Sequence, residues 1–454
     1  MISRLKISIV SIAAIILLCA FCLSCGQKND RLDNKVALTF WHSFVASTIP
    51  ALEELIEKFE AEHPGIQIKA QYVPTGDALV QKLITAIQSQ TAPDIAWVHA
   101  DFLDKLAQAR AIYKMAEFIN GPEGLSNEEL NDIFPPLLQA ATWCDTLYAL
   151  PMEATSLALL YNKELFRQTG LDPDHPPKNW QELREFAKKL TLDKNSDGKF
   201  EQHGFLVPVF PASGDLNIWM VLQWTPFLWQ AGGAEINAAQ TQVLFNSEAG
   251  VQALTLWKNM YDELCMRTFS MAHDMAFASQ RLAMVLDGPW NLPRYREMNN
   301  VDWAVAPLPA GPAQRATYLA GEHLAIFKQS KHPQAAWQFV KWIIQPEVQA
   351  SFSMKSGYLP VRRSVLEMKE YQDFLATDPA LKAFVDQMNW GQARGAIDNH
   401  RVEINRYLAE AIEKATLGRR DPKIVLDEAA AKANQLLLSR LKAVNQEKVS
   451  YPKP

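Results

Sequence analysis

Apolar positions along the first third of the chain alternate, then step, then alternate again. Val36, Leu38 and Phe40 interleave with Ala37, Thr39 and Trp41, the period of a strand. Leu52, Leu55, Ile56 and Phe59 follow helical spacing, and His63-Pro64-Gly65 ends that helix. Ile66, Ile68, Ala70 and Tyr72 alternate once more; beyond a turn at Pro74-Thr75-Gly76-Asp77, Leu79, Val80, Leu83, Ile84 and Ile87 share one helical face. Ala92-Pro93-Asp94-Ile95-Ala96-Trp97-Val98 predicts a third, short strand. This β-α-β-α-β rhythm implies parallel strands with crossover helices, in which ligands lie beyond the C-terminal strand ends. The loops at those ends carry Trp41-His42-Ser43, residues 75–77 and His99-Ala100-Asp101.

The stretch Leu147 to Phe166 starts like a strand, is stiffened by Pro151 and stays apolar to Tyr161-Asn162-Lys163, with Leu165 and Phe166 pointing to a helix beyond. It is expected to be the first crossing between two lobes, with later crossings near Val305 to Pro309 and Gln345 to Glu347. A second α/β region follows. Asn179 is placed to cap a helix with Trp180, Leu183, Ala187 and Leu190 inward. Trp219, Trp224 and Trp229 recur at intervals of five, which scatters them around a helix; Trp224 or Trp229 is expected as a cleft aromatic. Gln280 to Val285 predicts a strand ending in Asp287-Gly288-Pro289-Trp290, and Trp303 to Pro309 another, followed by Tyr318 to Phe327. Pro333 opens a helix with Ala336, Phe339, Val340, Ile343 and Ile344 inward, ended by Gln345-Pro346. Ser356 to Val361 is a turn that presents Tyr358, and Ile404, Leu408, Ala411 and Ala415 share a late helical face.

At 454 residues the chain is too long for one core, so two domains are expected. A net charge of −5 with no Lys/Arg run gives no basis for nucleic-acid binding. Thirteen Trp is a high count, and aromatic faces stack well on sugar rings. Arg4 and Lys6 precede an apolar run, Ile7 to Phe21, of signal-peptide length. Leu23-Ser24-Cys25-Gly26 then resembles a bacterial lipobox, with Cys22 standing where Leu is usual. Residues 1–25 are therefore expected to be a leader with Cys25 lipidated, 26–35 a tether and 446–454 a tail. Cys144 and Cys265 fall in different lobes and are expected to be buried small hydrophobes. Asp193, Asn195 and Asp197, with Gly198 and Glu201, match half of a calcium loop, but the twelfth position is Gly204. A polar turn is the favoured reading, a structural Ca²⁺ the alternative, and no other cofactor is expected.

The ordered set Phe40-Trp41-His42-Ser43, Ala92-Pro93-Asp94, Leu159 to Lys163 with Leu165-Phe166, Asp287 to Trp290 and Ser356 to Val361 resembles family 1 extracellular solute-binding proteins, the receptors of carbohydrate-type ABC importers. The resemblance spans about residues 36–440. It implies the two-lobed α/β periplasmic-binding-protein fold of type II, with crossover segments as hinge. The implied first lobe is 36–153 plus 308–346, the second 154–307 plus 347–445. It also implies an exported, membrane-anchored monomer that hands a small solute to permease subunits and is not an enzyme.

Within that resemblance Asp101 and Trp290 fit maltose-type receptors, as hydroxyl acceptor and aromatic platform. The Trp-His-Ser start, Tyr358, Asp77 and Arg401 fit glycerol-3-phosphate receptors, where Arg401 would take the phosphate. Glu153-Ala154 and Glu322-His323 replace that receptor's small hydroxyl residues, and carboxylates oppose phosphate, so a neutral sugar, oligosaccharide or polyol is favoured. Glycerol-3-phosphate or a glycerophosphodiester is the alternative ligand. The ligand-binding candidates are Trp41, His42, Asp77, His99, Asp101, Glu153, Trp224, Trp229, Trp290, Glu322, His323, Tyr358 and Arg401. A secreted glycoside hydrolase using Asp77, Asp101 and Glu153 is the competing class. The sequence has no Gly-x-Ser-x-Gly elbow, His-Glu-x-x-His site or phosphate loop.

Overall fold

The structure of the chain, a computed structural model, describes residues 35–74, 77–210, 212, 217–264, 273–394 and 400–450. The expected leader with Cys25, and Cys265, lie outside the described residues. No described helix is long and apolar enough to cross a membrane.

The alternating and stepping segments form the elements they predict: β1 (Val36–His42), α1 (Ile49–Glu62), β2 (Ile66–Tyr72), α2 (Asp77–Gln88), β3 (Ile95–His99) and α3 (Ala100–Gln108). Strand β1 lies parallel between β2 and β3. Asp94 fastens this core. Its Oδ2 accepts from the Thr39 amide and hydroxyl, both at 2.8 Å, and its Oδ1 accepts from Ser330 Oγ at 2.6 Å. The Ala-Pro-Asp motif is therefore a staple between strands, set away from the loops at their C-terminal ends.

The chain then runs through β4 (Leu150–Pro151), β5 (Thr155–Ser156), β6 (Ala158–Asn162), β7 (Met284–Asp287), β8 (Trp303–Ala306), β9 (Thr317–Ala320), β10 (Glu322–Ile326) and β11 (Gly391–Gln392). The first lobe holds a five-stranded sheet in the order β2-β1-β3-β10-β4. The second holds the antiparallel sheet β8-β6-β7. Between them the sheet β11-β9-β5 gathers the crossing segments side by side. Buried Gln387 ties them: its Nε2 donates to Leu157 O at 2.7 Å, and its Oε1 accepts from the Leu308 amide at 3.2 Å.

In this arrangement the chain passes from β4 in the first-lobe sheet through β5 to β6 in the second-lobe sheet, and its later passages lie elsewhere than expected. The expected strand 318–327 is broken at Gly321 into β9, in the hinge sheet, and β10, in the first-lobe sheet. The chain thus re-enters the first lobe at Glu322, not at 308; Leu308 and Ala316 pack in the second core. Pro346 ends one helix but also starts the next, Pro346–Ser356, and the chain does not leave the first lobe there. Phe352 meets Phe44 edge-on at 5.9 Å, Gln349 Nε2 donates to Met152 O at 2.8 Å, and Lys355 pairs with Glu54. Residues 347–362 therefore pack with the first lobe, where the sequence places them in the second. The final helix runs Pro422–Ser450, through part of the expected tail.

Cys144 is exposed, against expectation. It and Asp145 form the two-residue turn of the hairpin Thr142–Trp143/Thr146–Leu147, with φ of 47° and 56°. Two positive φ values in a row are the signature of a type I′ turn, which puts both side chains outside the sheet.

Candidate functional site

The strand ends of the first lobe are more occupied by packing than the sequence suggests. Trp41 is buried with Lys82 Nζ 4.4 Å above its ring, so it serves the contact between β1 and α2. His42 is buried among Phe40, Phe44 and Tyr72, and its Nδ1 accepts from the Phe44 amide at 3.4 Å. Burial pulls its pKa down to about 4, leaving it neutral near pH 7. Both are corrected from ligand contacts to structural residues. His323 is likewise structural: fully buried, with Nε2 2.9 Å from Leu137 O and its pKa lowered by burial to about 4. The side chain of Asp77 lies outside the described residues.

His99 caps α3, accepting from the Asp101 amide at 3.3 Å. Asp101 itself is buried in a four-charge cluster that joins distant parts of the chain. Arg394 Nη1 lies 3.5 Å from Asp101 Oδ2, and Arg401 Nε 3.6 Å from its Oδ1. Glu235 accepts from Arg394 at 2.7 Å and from Arg401 at 3.2 Å, and Arg394 also donates to Asn405 Oδ1 at 2.6 Å. Burial alone would raise the pKa of both carboxyls; the two guanidiniums outweigh it and hold both below the usual carboxylate range. Arg401 is thus committed to Asp101 and Glu235, which corrects its expected role as a phosphate ligand. Glu235 and Arg394 were not anticipated, since no local motif marks either.

A second acidic group sits where the first two crossings touch. Glu153 is fully buried, and its Oε1 accepts from the Glu322 amide at 3.3 Å. Glu322 is half-buried. Burial, then the neighbouring Glu322 carboxyl, push the Glu153 pKa well up; the Glu322 amide and the Trp97 indole oppose this only weakly. Tyr358 closes the group. It is buried edge-on to Phe44 at 5.5 Å, and burial followed by Glu153 and Glu322 raises its pKa far above neutrality.

Because the Glu153 pKa is raised on folding, its contribution to stability is full below the unfolded carboxylate value and falls as pH rises toward the folded value. Glu153→Gln, which keeps the shape without the charge, is expected to leave Tm nearly unchanged near pH 4 and to raise it at pH 8. Every tenfold by which folding tightens the hold of this carboxyl on its proton corresponds to about 1.4 kcal/mol. A thermal melt series across that range checks this; an equal loss of Tm at both ends would refute it.

Across from this group, Asp287-Gly288-Pro289-Trp290 builds a fixed turn. Buried Asp287 accepts from Tyr295 Oη (2.8 Å), Asn291 Nδ2 (2.9 Å) and the Gly288 amide (2.8 Å), and pairs with His273 Nε2 (3.0 Å). A Cβ on Gly288 would lie 1.8 Å from the Trp290 ring, so only glycine lets the indole fold back over the turn. Trp290 is half-buried and meets Trp219 edge to face at 5.5 Å. The carbonyl of Pro289 lies so close to Gly357 that a Cβ there would sit 2.6 Å away, which sets the Trp290 turn against the Tyr358 turn. Trp224 and Trp229 are buried in the second core, against the expectation of a cleft aromatic; of the three, Trp219 is the half-buried one and meets Trp290. Five-residue spacing said they diverge, not which one faces out.

Asp193, Asp197 and Glu201 bring carboxylate oxygens within 4.8 Å of one another. Asp193 and Asn195 oxygens already accept from the Asp197 and Gly198 amides, and Glu201 accepts from the Lys194 amide.

Residues 54–383 match a family model described as bacterial extracellular solute-binding protein. A binding protein of Brucella abortus (strain 2308) is 29% identical over 407 residues, 87% of this chain and 91% of its own. The sn-glycerol-3-phosphate-binding periplasmic protein of Pectobacterium atrosepticum is 22% identical over 92% of this chain and 95% of its own. Among solved structures, the cyclic alpha-maltosyl-1,6-maltose binding protein of Arthrobacter globiformis superposes with a TM-score of 0.76 at 26% identity, covering 89% of this chain and 99% of that one.

Proposed function

The chain belongs to the bacterial extracellular solute-binding proteins, and on that footing we propose that it captures a sugar, oligosaccharide or polyol between its lobes for an ABC importer. The observation that carries this reading is the balance of charge at the cleft. Arg394 and Arg401 are each matched by Asp101 and Glu235, while Glu153 and Glu322 add only carboxyl groups, and the Trp290 and Trp219 rings add aromatic surface. Carboxyls that accept from hydroxyls and rings that stack on C–H faces suit a sugar. A phosphate would need an unspent cation and would face uncompensated carboxylates, which disfavours the glycerol-3-phosphate reading despite the relative that binds it. Hydrolysis is disfavoured too, because glycosidases place two carboxyls about 5–10 Å apart across the scissile bond. Glu153 and Glu322 instead adjoin, and Asp101 is locked by arginines.

In the proposed cycle the ligand bridges the Trp290 turn of one lobe and the Glu322 strand of the other, and closure follows because the closed state makes more of these contacts. The closed surface is then read by permease subunits. The same proposal has a monomer tethered to the membrane through an acylated Cys25. Thermal-shift and calorimetric titration of sugars, polyols and glycerol-3-phosphate tests the ligand class, since a ligand of the native state raises Tm. Stabilisation by glycerol-3-phosphate alone would overturn it. Trp290→Ala is expected to weaken the best sugar by on the order of 2 kcal/mol, about 30-fold in Kd, with little change in the Tm of the unliganded protein.

A further inference from the structure

We propose that the solute is a saccharide bearing a basic amine, whose ammonium sits against the Glu153–Glu322 pair while its ring lies on Trp290. This rests on the saccharide reading above and narrows it. The groups around the pair come from several elements. Glu322 heads β10, Trp97 comes from β3, Tyr358 follows the helix Pro346–Ser356, and Tyr318 lies on β9 between Glu322 and Asp101. His323, next along β10, bonds away from the pair to Leu137. Asp101, with His99 beside it, and Glu235 are balanced by Arg394 and Arg401. Among the described residues, then, none of the groups named around the pair is a cation left over for it, and both tyrosines are held neutral by burial.

Geometry adds a second reason. Glu153 Oε2 is buried without a well-formed hydrogen bond, and the groups beside it are the uncharged Trp97 indole and the Glu322 carboxyl, so the site holds an acceptor that these neighbours do not meet with a cation. A buried carboxylate without a counter-charge is costly, and it either keeps its proton or meets a cation. Half-buried Glu322 leaves the pair partly open to solvent, and half-buried Trp290 and Trp219 are rings of the kind that attract a cation as well as a sugar. The capture step balances simply. The ligand enters as R–NH₃⁺, Glu153 gives up its proton to solvent, and both carboxylates accept from the ammonium. A ligand with a hydroxyl in place of the amine brings no charge and leaves that proton where it is.

The test is calorimetric titration of the purified protein with matched saccharides that differ only in the amine. Glucosamine is set against glucose, galactosamine against galactose, and glucosamine disaccharides and trisaccharides against their N-acetylated forms, each in two buffers of different ionisation enthalpy. The expected result is that an amine member binds at least about tenfold tighter than its neutral partner and releases a proton. Glu322→Gln is expected to bring that ratio close to one, and Glu153→Gln to abolish the proton release, with circular dichroism confirming that both variants fold. Equal affinity within every pair, or tight amine binding with no proton released, overturns the inference and leaves the saccharide reading standing. Failure of every saccharide to bind removes both.

Discussion

Glu235→Ala is expected to cost about 3–5 kcal/mol, because it strands two buried guanidiniums. Arg394 and Arg401 are fully buried, and with Glu235 gone only Asp101 remains to oppose them, at 3.5 Å and 3.6 Å. For lobes of this size the loss corresponds to on the order of 10 °C in Tm. The site of the cluster gives the prediction a second readout. Asp101 belongs to the first lobe, Glu235 follows the helix Asn217–Gln230 of the second, and Arg394 lies just past β11 in the sheet between them, so the cluster spans the junction. Weakening it is expected to open the lobes as well as destabilise them, seen as a larger radius of gyration for the unliganded variant in X-ray scattering. A Tm within about 2 °C of the parent would show that the cluster contributes nothing net, as some buried ion pairs do. Its acid sensitivity has the opposite sign to that of Glu153. Asp101 and Glu235 are held below their unfolded pKa, so their stabilisation is present above that value and lost as pH falls through the folded one.

Elements built on local period were legible in the sequence, and contacts across long separations were not. The strands and helices from Val36 to His99 follow from alternation and stepping alone, and the Asn179 cap from the residue type at a helix start, where its Oδ1 accepts from the Glu182 amide at 2.9 Å. The turn that carries Trp290 was legible from Gly-Pro at a strand end, and the ring is half-buried there, against both cores. That Trp219 stays half-buried while Trp224 and Trp229 are buried was not legible, because which side of that helix is covered is set by how it packs with Arg401–Thr416. Arg394 and Glu235 are 159 residues apart and meet only once the crossings are in place. The crossings themselves left one sign, a glycine inside an otherwise continuous strand pattern at 321, the usual mark of a bend or a close backbone approach.

That glycine carries the other large effect. In Gly321→Val the new Cβ would lie 1.8 Å from Glu153 O, 2.9 Å from Glu153 C and 3.2 Å from Ala154 Cα, all of them backbone atoms that cannot rotate aside. The two crossings must therefore part, against the pairing of Ala320 with Thr155 and the Met152 amide bond to Glu322 O at 2.9 Å. A loss of about 3 kcal/mol or more is expected, at the upper end of overpacking costs, together with a displaced Glu153 and a large loss of ligand affinity. Gly288→Ala is the control. Its new Cβ also meets an atom at 1.8 Å, but that atom is in the Trp290 side chain, which can swing away. Stability should fall little there while sugar affinity falls as it does for Trp290→Ala. Thermal melts and titrations on the two variants separate a clash of main chains, which strikes fold and site together, from a clash with one ring, which strikes the site alone. If both variants lose the same stability, backbone contact between the crossings is not what requires glycine at 321.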